Sequence, residues 1–358
     1  MALLLILTCM FVALIVSAIV IPALIRVAHR YRLLDPPGLH KRHKKPIPIL
    51  GGLALFIAVW LSVLITSLIF PGCYDDNSAS MLFIFSGALV IMLVGLADDL
   101  SPLSAWVKLA AQISIGLILY FAGLRVELLT TPYGSIDIGG LSVVITVLWV
   151  VGLTNAINLI DGLDGLAAGV CLIAAVTMSI IGQLQQAGWV LVFMYSLIGF
   201  LSLFLFYNRF PARMFLGDSG SMQIGYYFAV FSLIVPLKSF TASALYVPLL
   251  ALGVPILETA SSFVRRIISG KNVMRADRRH LFHYLALAGF TPRKVVLIFY
   301  ILGVIFSLFA LAMLFWNRVL VLVFLMVFMV VIFASFFILI AGLPARRWNG
   351  RPRADKNA

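Results

Sequence analysis

The chain of 358 residues is 63% hydrophobic and only 11% charged, with a mean hydropathy of +1.13. A soluble domain is about half apolar and about a quarter charged, so these values exclude ordinary soluble domains and predict an integral membrane protein. The net charge of +13 needs no nucleic-acid partner, because basic loops retained beside a membrane explain it. The three cysteines form no paired motif, which argues against a disulfide framework or a zinc site.

Apolar runs recur along the chain at the length of a membrane span, which is about 20 residues. They predict an all-α membrane domain over residues 1–343 and a basic tail over 344–358. The first run starts without basic residues before it and without a clear cleavage site, so we interpret it as a retained span. The predicted spans are 2–25, 50–70, 81–97, 104–123, 141–158, 166–184, 188–206, 221–238, 243–267, 293–315 and 319–342.

The basic residues lie almost entirely on one side of these eleven spans if successive spans alternate in direction. All but three of the 26 Lys and Arg residues fall in connections on that side or at the span ends beside them, the exceptions being Arg125, Lys238 and Arg318. Basic residues are retained in the cytoplasm, so the sequence predicts an outer N-terminus and a cytoplasmic C-terminus. The outer segment 125–140 alternates in character around a Pro-Tyr-Gly turn, which predicts a small β-hairpin.

Acidic residues are scarce, and six of the 13 border or interrupt apolar spans. A charge at the bilayer centre costs about 2.5–3.5 kcal/mol, so these groups must face a wet cavity, a cation or each other. A single Asp at a helix end is usually a cap, which remains an alternative for each one. That alternative weakens because three separate segments bring acids to the same membrane face. The six are Asp98, Asp99, Asp161, Asp164, Asp218 and Glu258.

The first acidic motif is the Asp98-Asp99 pair, which follows the third apolar run directly. Adjacent carboxylates repel, and one takes a raised pKa unless a cation lies between them. Such a pair can supply a base and an anchor for a metal ion. Lys108 is a candidate phosphate partner near this pair. The Asp75-Asp76 pair lies in a polar loop on the opposite side, and we predict that it is inert.

The second motif places four polar residues at intervals of three, at Asn155, Asn158, Asp161 and Asp164. If the segment is helical, they form a slowly rotating polar stripe on an apolar surface. Neighbouring glycines allow the backbone to turn and a ligand to approach. Amides and carboxylates suit hydrogen bonding to a base, a sugar or a hydrated metal. The alternative is a span end with a glycine-rich C-cap.

The third motif follows Asn208 and places Gly217 and Gly220 around Asp218. These glycines predict a tight turn that opens a span, and backbone N–H groups at a helix start favour phosphate. Asp218 can hold Mg²⁺, which prefers oxygen ligands and usually bridges substrate phosphates. Phe215 can stack on a base, although a lone Phe is more often a packing residue.

The fourth motif lies in the longest cytoplasmic loop and contains Arg278, His280 and His283. Arg and His are suited to recognising a diphosphate. The alternative is an ordinary basic loop with incidental histidines. Lys44 and Lys45, which precede the second span, present the same choice.

Together these motifs resemble the polyprenyl-phosphate N-acetylhexosamine-1-phosphate transferases, enzymes of the glycosyltransferase family 4 type. The resemblance spans roughly residues 30–295 and is closest to the bacterial undecaprenyl-phosphate GlcNAc-1-phosphate transferases. It is specific because several long motifs occur in the expected order on one membrane face. The motifs are PIPILGG, ADDL, NAINLIDGLDGLAAG, YNRFPARMFLGDSGS and DRRHLFHYLALAGFTP.

The resemblance implies a role for each matching residue. Asp98 and Asp99 would be the catalytic pair, with Asp98 the base for the lipid phosphate and Asp164 a further catalytic acid. Asp218 and Asp99 would hold Mg²⁺, with Mn²⁺ as its substitute. The residues implied in substrate binding are Lys44, Lys108, Asn155, Asn158, Asp161, Asn208, Phe215, Gly217, Arg278, His280 and His283.

The implied reaction moves a sugar-1-phosphate, GlcNAc-1-phosphate first, from a UDP-sugar to undecaprenyl phosphate and releases UMP. It would occur at the cytoplasmic face of the bacterial inner membrane and would supply the lipid-linked first sugar of a cell-surface glycan such as O-antigen. Phe282 stands where that branch usually has a histidine, so GalNAc, FucNAc and QuiNAc donors stay open. So do a covalent Asp intermediate, a homodimer and, as the less favoured class, an ion-coupled transporter.

Overall fold

The computed structural model describes residues 2–37, 45–71, 78–131, 134–235, 246–268 and 281–341. It is an all-α membrane protein, and in the described part eight helices are long and apolar enough to cross a bilayer. The helices are α1 (Ala2–Tyr31), α2 (Gly51–Ile69), α3 (Ser78–Leu100), α4 (Ala105–Phe121), α5 (Ser142–Ile160), α6 (Leu166–Leu184), α7 (Leu191–Asn208), α8 (Gly217–Ile234), α9 (Tyr246–Ala251), α10 (Gly253–Ile268), α11 (Leu281–Leu287), α12 (Pro292–Phe315) and α13 (Arg318–Ala341).

Each predicted span overlaps a helix, but the boundaries differ in ways that affect the site. Helix α3 continues through Asp98 and Asp99, which therefore lie in its last turn. Helix α8 begins at Gly217, so Asp218 lies in its first turn and not in a separate turn before it. The predicted span 243–267 is divided into α9 and α10. The number of membrane crossings and their direction remain predictions.

In the described ranges, two short antiparallel hairpins accompany the helices. Strands β3 (Leu128–Thr131) and β4 (Gly134–Asp137) form the hairpin predicted from the sequence. Strands β1 (Leu34–Asp35) and β2 (Ile47–Pro48) form a second one between α1 and α2. The carbonyl of Pro48 accepts a hydrogen bond of 2.8 Å from the N–H of Phe215. The second hairpin is thereby attached to the loop that leads into α8.

Helix α8 is the centre of the bundle, and every residue from Ser219 to Ile234 is buried. It packs against α2, α3 and α5. Glycines allow this close approach: a Cβ at Gly52 would lie 2.3 Å from the nitrogen of Gly220, and one at Gly95 would lie 2.4 Å from Cα of Ser219. Because these contacts are backbone to backbone, they fix where α8 begins relative to the end of α3.

Candidate active site

A cavity of about 1650 Å³ lies at the end of the bundle where α3 and α5 finish and α8 begins. Segments that are far apart in sequence share its lining, as predicted for the acidic motifs. Lys44, Arg278 and His280 lie outside the described residues. The predicted site residues that line the cavity are Asp98, Asp99, Asn158, Asp161, Asp164, Asn208, Phe215, Gly217, Asp218 and His283.

Lys108 joins the first and third acidic motifs. Its Nζ atom lies 3.0 Å from Oδ2 of Asp98 and 2.8 Å from Oδ2 of Asp218. The other oxygen of Asp98 accepts a hydrogen bond of 2.7 Å from the N–H of Leu103. The ammonium group offsets the repulsion that two neighbouring carboxylates would otherwise feel. The ends of α3, α4 and α8 are therefore connected through charge.

Asp99 has a different environment from its neighbour. Its carboxylate accepts hydrogen bonds from the N–H groups of Asp218 and Ser219, at 2.7 and 3.1 Å, and from the hydroxyl of Ser219 at 2.6 Å. The sequence predicted that the N–H groups at this helix start favour phosphate, but the anion found there is Asp99 of the same chain. Gly217, at φ +74°, is needed because a Cβ would lie 2.5 Å from the Asp99 carboxylate.

The second motif ends α5 and forms the turn before α6. Asn158 lies in the last turn of α5 and lines the cavity together with Asp218. Asp161 is the C-terminal cap residue of the helix. Burial, together with the charges of Asp218, Asp99 and Asp164, raises the pKa of Asp161 to about 8. An acid cluster of this kind favours a positively charged ligand. Such a ligand would lower the pKa of Asp161 and favour its ionised form.

Asn208 and Asp164 hold the walls of the cavity together. The buried amide of Asn208 accepts a bond from the N–H of Gly165 and donates one to the carbonyl of Met214, both at 2.9 Å. Oδ2 of Asp164 accepts a bond of 3.0 Å from the N–H of Ala212. The α5–α6 turn and the α7–α8 loop are therefore tied together by side chains that were predicted as substrate-binding and catalytic residues.

Two further residues of the predicted set occupy different positions. Asn155 is not among the cavity-lining residues, and its amide donates to Gln112 at 2.6 Å and to the carbonyl of Val151 at 2.8 Å. His283 lines the cavity beside Phe282, with ring centroids 4.4 Å apart. Both rings lie on α11, whose first N–H group, that of Leu281, donates to the buried Glu258 at 2.9 Å.

Several basic residues that line the cavity were not assigned to the site from the sequence. Arg26 and His29 belong to the last part of α1, and Arg213 belongs to the loop before α8. Lys45, which the sequence analysis considered together with Lys44, also lines the cavity. The spacing of Arg26 and His29 places them on one face of the helix, a signal that was available. This spacing was not interpreted as part of a site, because basic residues at the cytoplasmic end of a span are expected from membrane topology alone.

The donor chemistry of the cavity fits Mg²⁺. Its acidic and amide side chains offer oxygen ligands, which this ion prefers. Within the described ranges, no three His, Cys, Asp or Glu side chains form a metal-binding group. Mg²⁺ is usually held by one or two carboxylates, with waters and substrate phosphates completing its coordination.

The membrane helices and the acid-lined cavity place the protein in the class of multi-pass membrane proteins with a polar cavity at one end of the bundle. Comparison with known proteins identifies its family. Residues 81–236 match the model for glycosyl transferase family 4. The chain is 37% identical over 306 residues to a probable undecaprenyl-phosphate N-acetylglucosaminyl 1-phosphate transferase of Bacillus subtilis, covering 84% of this chain and 83% of the relative. The chain therefore belongs to the polyprenyl-phosphate N-acetylhexosamine-1-phosphate transferases of glycosyl transferase family 4, which confirms the predicted family.

Two other relatives extend this comparison. Over 324 residues, the chain is 32% identical to a decaprenyl-phosphate N-acetylglucosaminephosphotransferase of Mycobacterium leprae, covering 81% of this chain and 79% of the relative. Over 330 residues, it is 30% identical to a phospho-N-acetylmuramoyl-pentapeptide-transferase of Desulforudis audaxviator, covering 84% and 96%. The segment that matches the family model contains all the cavity acids from Asp98 to Asp218, whereas α1 and α12 lie outside it.

Proposed function

We propose that the protein transfers an N-acetylhexosamine-1-phosphate, most directly GlcNAc-1-phosphate, from a UDP-sugar to undecaprenyl phosphate. UMP is the second product, and the lipid-linked sugar begins a cell-surface glycan. The observation that carries the proposal is the convergence of Asp98, Asp161 and Asp218 on one cavity. Two relatives that are named as polyprenyl-phosphate N-acetylglucosamine-1-phosphate transferases support the choice of reaction and sugar.

In the proposed reaction an oxygen of undecaprenyl phosphate attacks the β-phosphorus of the UDP-sugar. The bond from that phosphorus to the bridging oxygen breaks, and UMP leaves with the electron pair. Asp98 accepts the proton of the lipid phosphate, and the basic residues of the lining, together with Lys108 beside Asp98 and Asp218, hold the phosphates in place. Mg²⁺ held by Asp218 would supply charge neutralisation for the diphosphate. Asp99 would keep the start of α8 in place, because the N-terminus of that helix occupies both of its oxygens.

The proposed setting is the bacterial inner membrane, with eleven spans, an outer N-terminus and the cavity facing the cytoplasm. This orientation is supported by the basic residues that surround the cavity and the connections on the same side. A soluble nucleotide sugar would then reach the acids from the cytoplasm, while the lipid acceptor arrives from the bilayer.

A different UDP-N-acetylated sugar is the main alternative substrate, and one contact favours keeping it. A Cβ at Gly162 would lie 2.5 Å from Cζ of Phe282, so the phenyl ring packs directly on the α5–α6 turn. It fills with apolar surface a place at which a histidine would offer hydrogen bonds. An ion-coupled transporter is less supported, because transporters place such acids near the bilayer midplane and these acids lie at helix ends.

A UMP-release assay tests the proposal. Purified protein in detergent would be mixed with undecaprenyl phosphate, Mg²⁺ and, in separate reactions, UDP-GlcNAc and UDP-sugars carrying GalNAc, FucNAc or QuiNAc. We expect UMP from UDP-GlcNAc, and we expect Asp98→Asn and Asp218→Asn to abolish its release. Asp137→Asn, a change in the exposed hairpin, is the control and should keep wild-type turnover. Failure of every UDP-sugar to yield UMP would overturn the proposed function.

The same reagents distinguish direct transfer from a covalent intermediate. If an Asp attacks the sugar-phosphate first, the protein should release one equivalent of UMP from the UDP-sugar without any lipid acceptor. We expect no such burst, since both oxygens of Asp98 already accept hydrogen bonds, from Leu103 and from Lys108. An Asp that carries the sugar-phosphate group, detected by mass spectrometry, would contradict the direct mechanism.

A further inference from the structure

Gly165, the last residue of the α5–α6 turn, is held by two different helices. Its N–H group donates to the Asn208 side chain at the end of α7, at 2.9 Å. Its carbonyl accepts a hydrogen bond of 2.6 Å from the hydroxyl of Tyr300 on α12. Gly165 has a φ of +80°, which residues with a Cβ rarely adopt. That carbonyl also accepts the helical hydrogen bond from the N–H of Gly169 at 3.0 Å, so the Tyr300 hydroxyl adds a second bond from a different helix.

Tyr300 reaches the turn across α6. A Cβ at Gly169 would lie 2.1 Å from both Cζ and the hydroxyl oxygen of Tyr300. The ring therefore passes over the glycine surface of α6, and its hydroxyl bonds the carbonyl one turn earlier. This contact requires glycine at position 169, because any larger residue would displace the ring.

The turn held in this way carries two of the cavity acids. Asp161 lines the cavity at the start of the turn. Asp164, the residue before Gly165, accepts a hydrogen bond from the N–H of Ala212 in the α7–α8 loop. A shift of the Gly165 carbonyl would move both carboxylates relative to Asp218. Tyr300 itself is not among the residues that line the cavity.

We propose that Tyr300 is a positioning residue for the transfer reaction, which fixes the α5–α6 turn so that Asp161 and Asp164 keep their places on the cavity wall. This inference rests on the proposed function. It extends the machinery of the site to α12, which lies outside the segment that matches the family model.

The variant Tyr300→Phe tests the proposal because it removes only the hydroxyl group. Losing a hydrogen bond of this kind costs about 1 kcal/mol, so we expect kcat for UMP release to fall about fivefold. The KM for the UDP-sugar should change less than twofold. The control is Tyr226→Phe, which removes a hydroxyl that also donates to a helix carbonyl, that of Ile84 at 3.1 Å, but away from the cavity. It should leave kcat within twofold of wild type.

Hydrogen exchange gives a readout that does not need turnover. We expect amides of peptide 158–166 to exchange faster in Tyr300→Phe and at the wild-type rate in Tyr226→Phe. If Tyr300→Phe exchanges faster but the wild-type protein releases no UMP, the structural role of the contact would be supported and the proposed function would be contradicted. Unchanged exchange and kcat in Tyr300→Phe would overturn the positioning role, as would an equal loss of kcat in both variants.

A variant of Gly169 tests the same contact from its other side. Gly169→Ala should displace the Tyr300 ring and lower kcat, and adding Tyr300→Phe should lower it no further, because both changes break the same contact. Gly303→Ala is the control on α12, since its Cβ would meet Ile173 at an ordinary 3.7 Å. Additive losses in the double variant would contradict the shared contact.

Discussion

Asp98 and Asp99 are adjacent in sequence, yet the structure gives them different partners. Asp98 faces Lys108 and the cavity, whereas both oxygens of Asp99 accept bonds from the start of α8. A carboxylate at a helix N-terminus stabilises the helix through hydrogen bonds and through the helix dipole. We therefore assign reactivity to the first acid and placement of Asp218 to the second.

The variants Asp98→Asn and Asp99→Asn should therefore differ in stability as well as in activity. In Asp99→Asn a carboxylate that accepts three bonds becomes an amide, which costs about 2 kcal/mol because hydrogen bonds to charged groups are the stronger ones. We expect a lower thermal midpoint for Asp99→Asn in detergent than for Asp98→Asn. Loss of turnover is expected in both.

The comparison has a clear adverse result. Equal midpoints for the two variants, measured by intrinsic fluorescence on the same preparations, would show that Asp99 does not hold α8. Asp137→Asn supplies the baseline, because Asp137 accepts a bond from Gly139 in the exposed hairpin.

The types of residue in the site could be predicted from the sequence, but their partners could not. Acids beside apolar runs indicated a cavity, because unpaired carboxylates are costly near a bilayer. The bond from Asp218 to Asp99 spans 119 positions, and no local pattern signals it. Asn208 was predicted to contact substrate, whereas its buried amide bonds Gly165 and Met214. A polar residue in a motif does not reveal whether it faces ligand or backbone.

At the scale of helices, close backbone contacts place the reactive groups. Helices α2 and α3 meet the start of α8 at Gly52 and Gly95, where a side chain would overlap the backbone of α8. Asp98 lies three residues after Gly95 on the same helix. Any separation of α3 from α8 would therefore pull Asp98 away from Asp218 and Lys108.

The variant Gly95→Ala should lower both activity and stability, because its Cβ would lie 2.4 Å from Cα of Ser219. We expect UMP release to fall at least tenfold, since a shift of about 1 Å in catalytic groups has effects of this size. Gly152→Ala on α5 is the matched control, since its Cβ would meet nothing within 4 Å.

The control variant Gly152→Ala has an expected effect on stability as well. Alanine is favoured over glycine inside a helix by about 1 kcal/mol, so Gly152→Ala should unfold at the same or a higher temperature with full activity. A Gly95→Ala protein that matched it in both assays would mean that α3 and α8 are not held by this contact.

Hydropathy predicted where the helices lie better than it predicted where they break. The run 243–267 was predicted as one span, but the structure ends α9 at Ala251 and starts α10 at Gly253. A Cβ at Gly253 would lie 2.5 Å from the ring of Phe306 on α12, so packing between distant segments accompanies the break. The seven-residue α11 was missed for a related reason, because it is too short to give a span signal.

For the molecule as a whole, the cavity and the β3–β4 hairpin lie at opposite ends of the helices. The turn after α3, the turn after α5 and the loop before α8 all border the cavity. The hairpin of β3 and β4 joins the opposite ends of α4 and α5. If the basic connections are cytoplasmic, the hairpin must lie outside.

Cysteine labelling can test this orientation. In a Cys73→Ser background, in which Cys9 and Cys171 are buried, Asp137→Cys should react with an impermeant maleimide added to intact spheroplasts. Ser101→Cys, exposed in the turn after α3, should react only after permeabilisation. The reverse pattern would place the acids on the outer face and contradict the proposed access of a cytoplasmic nucleotide sugar.

The ammonium group of Lys108 also bears on how the chain is made. Because it lies between two carboxylates from distant helices, the protein carries its own counter-ion while it is being inserted and assembled. Assembly would then need no dissolved cation, in contrast to small domains that fold only around their metal. Cells grown with limiting magnesium should therefore accumulate the intact protein, and the proposed requirement for Mg²⁺ should affect only its activity.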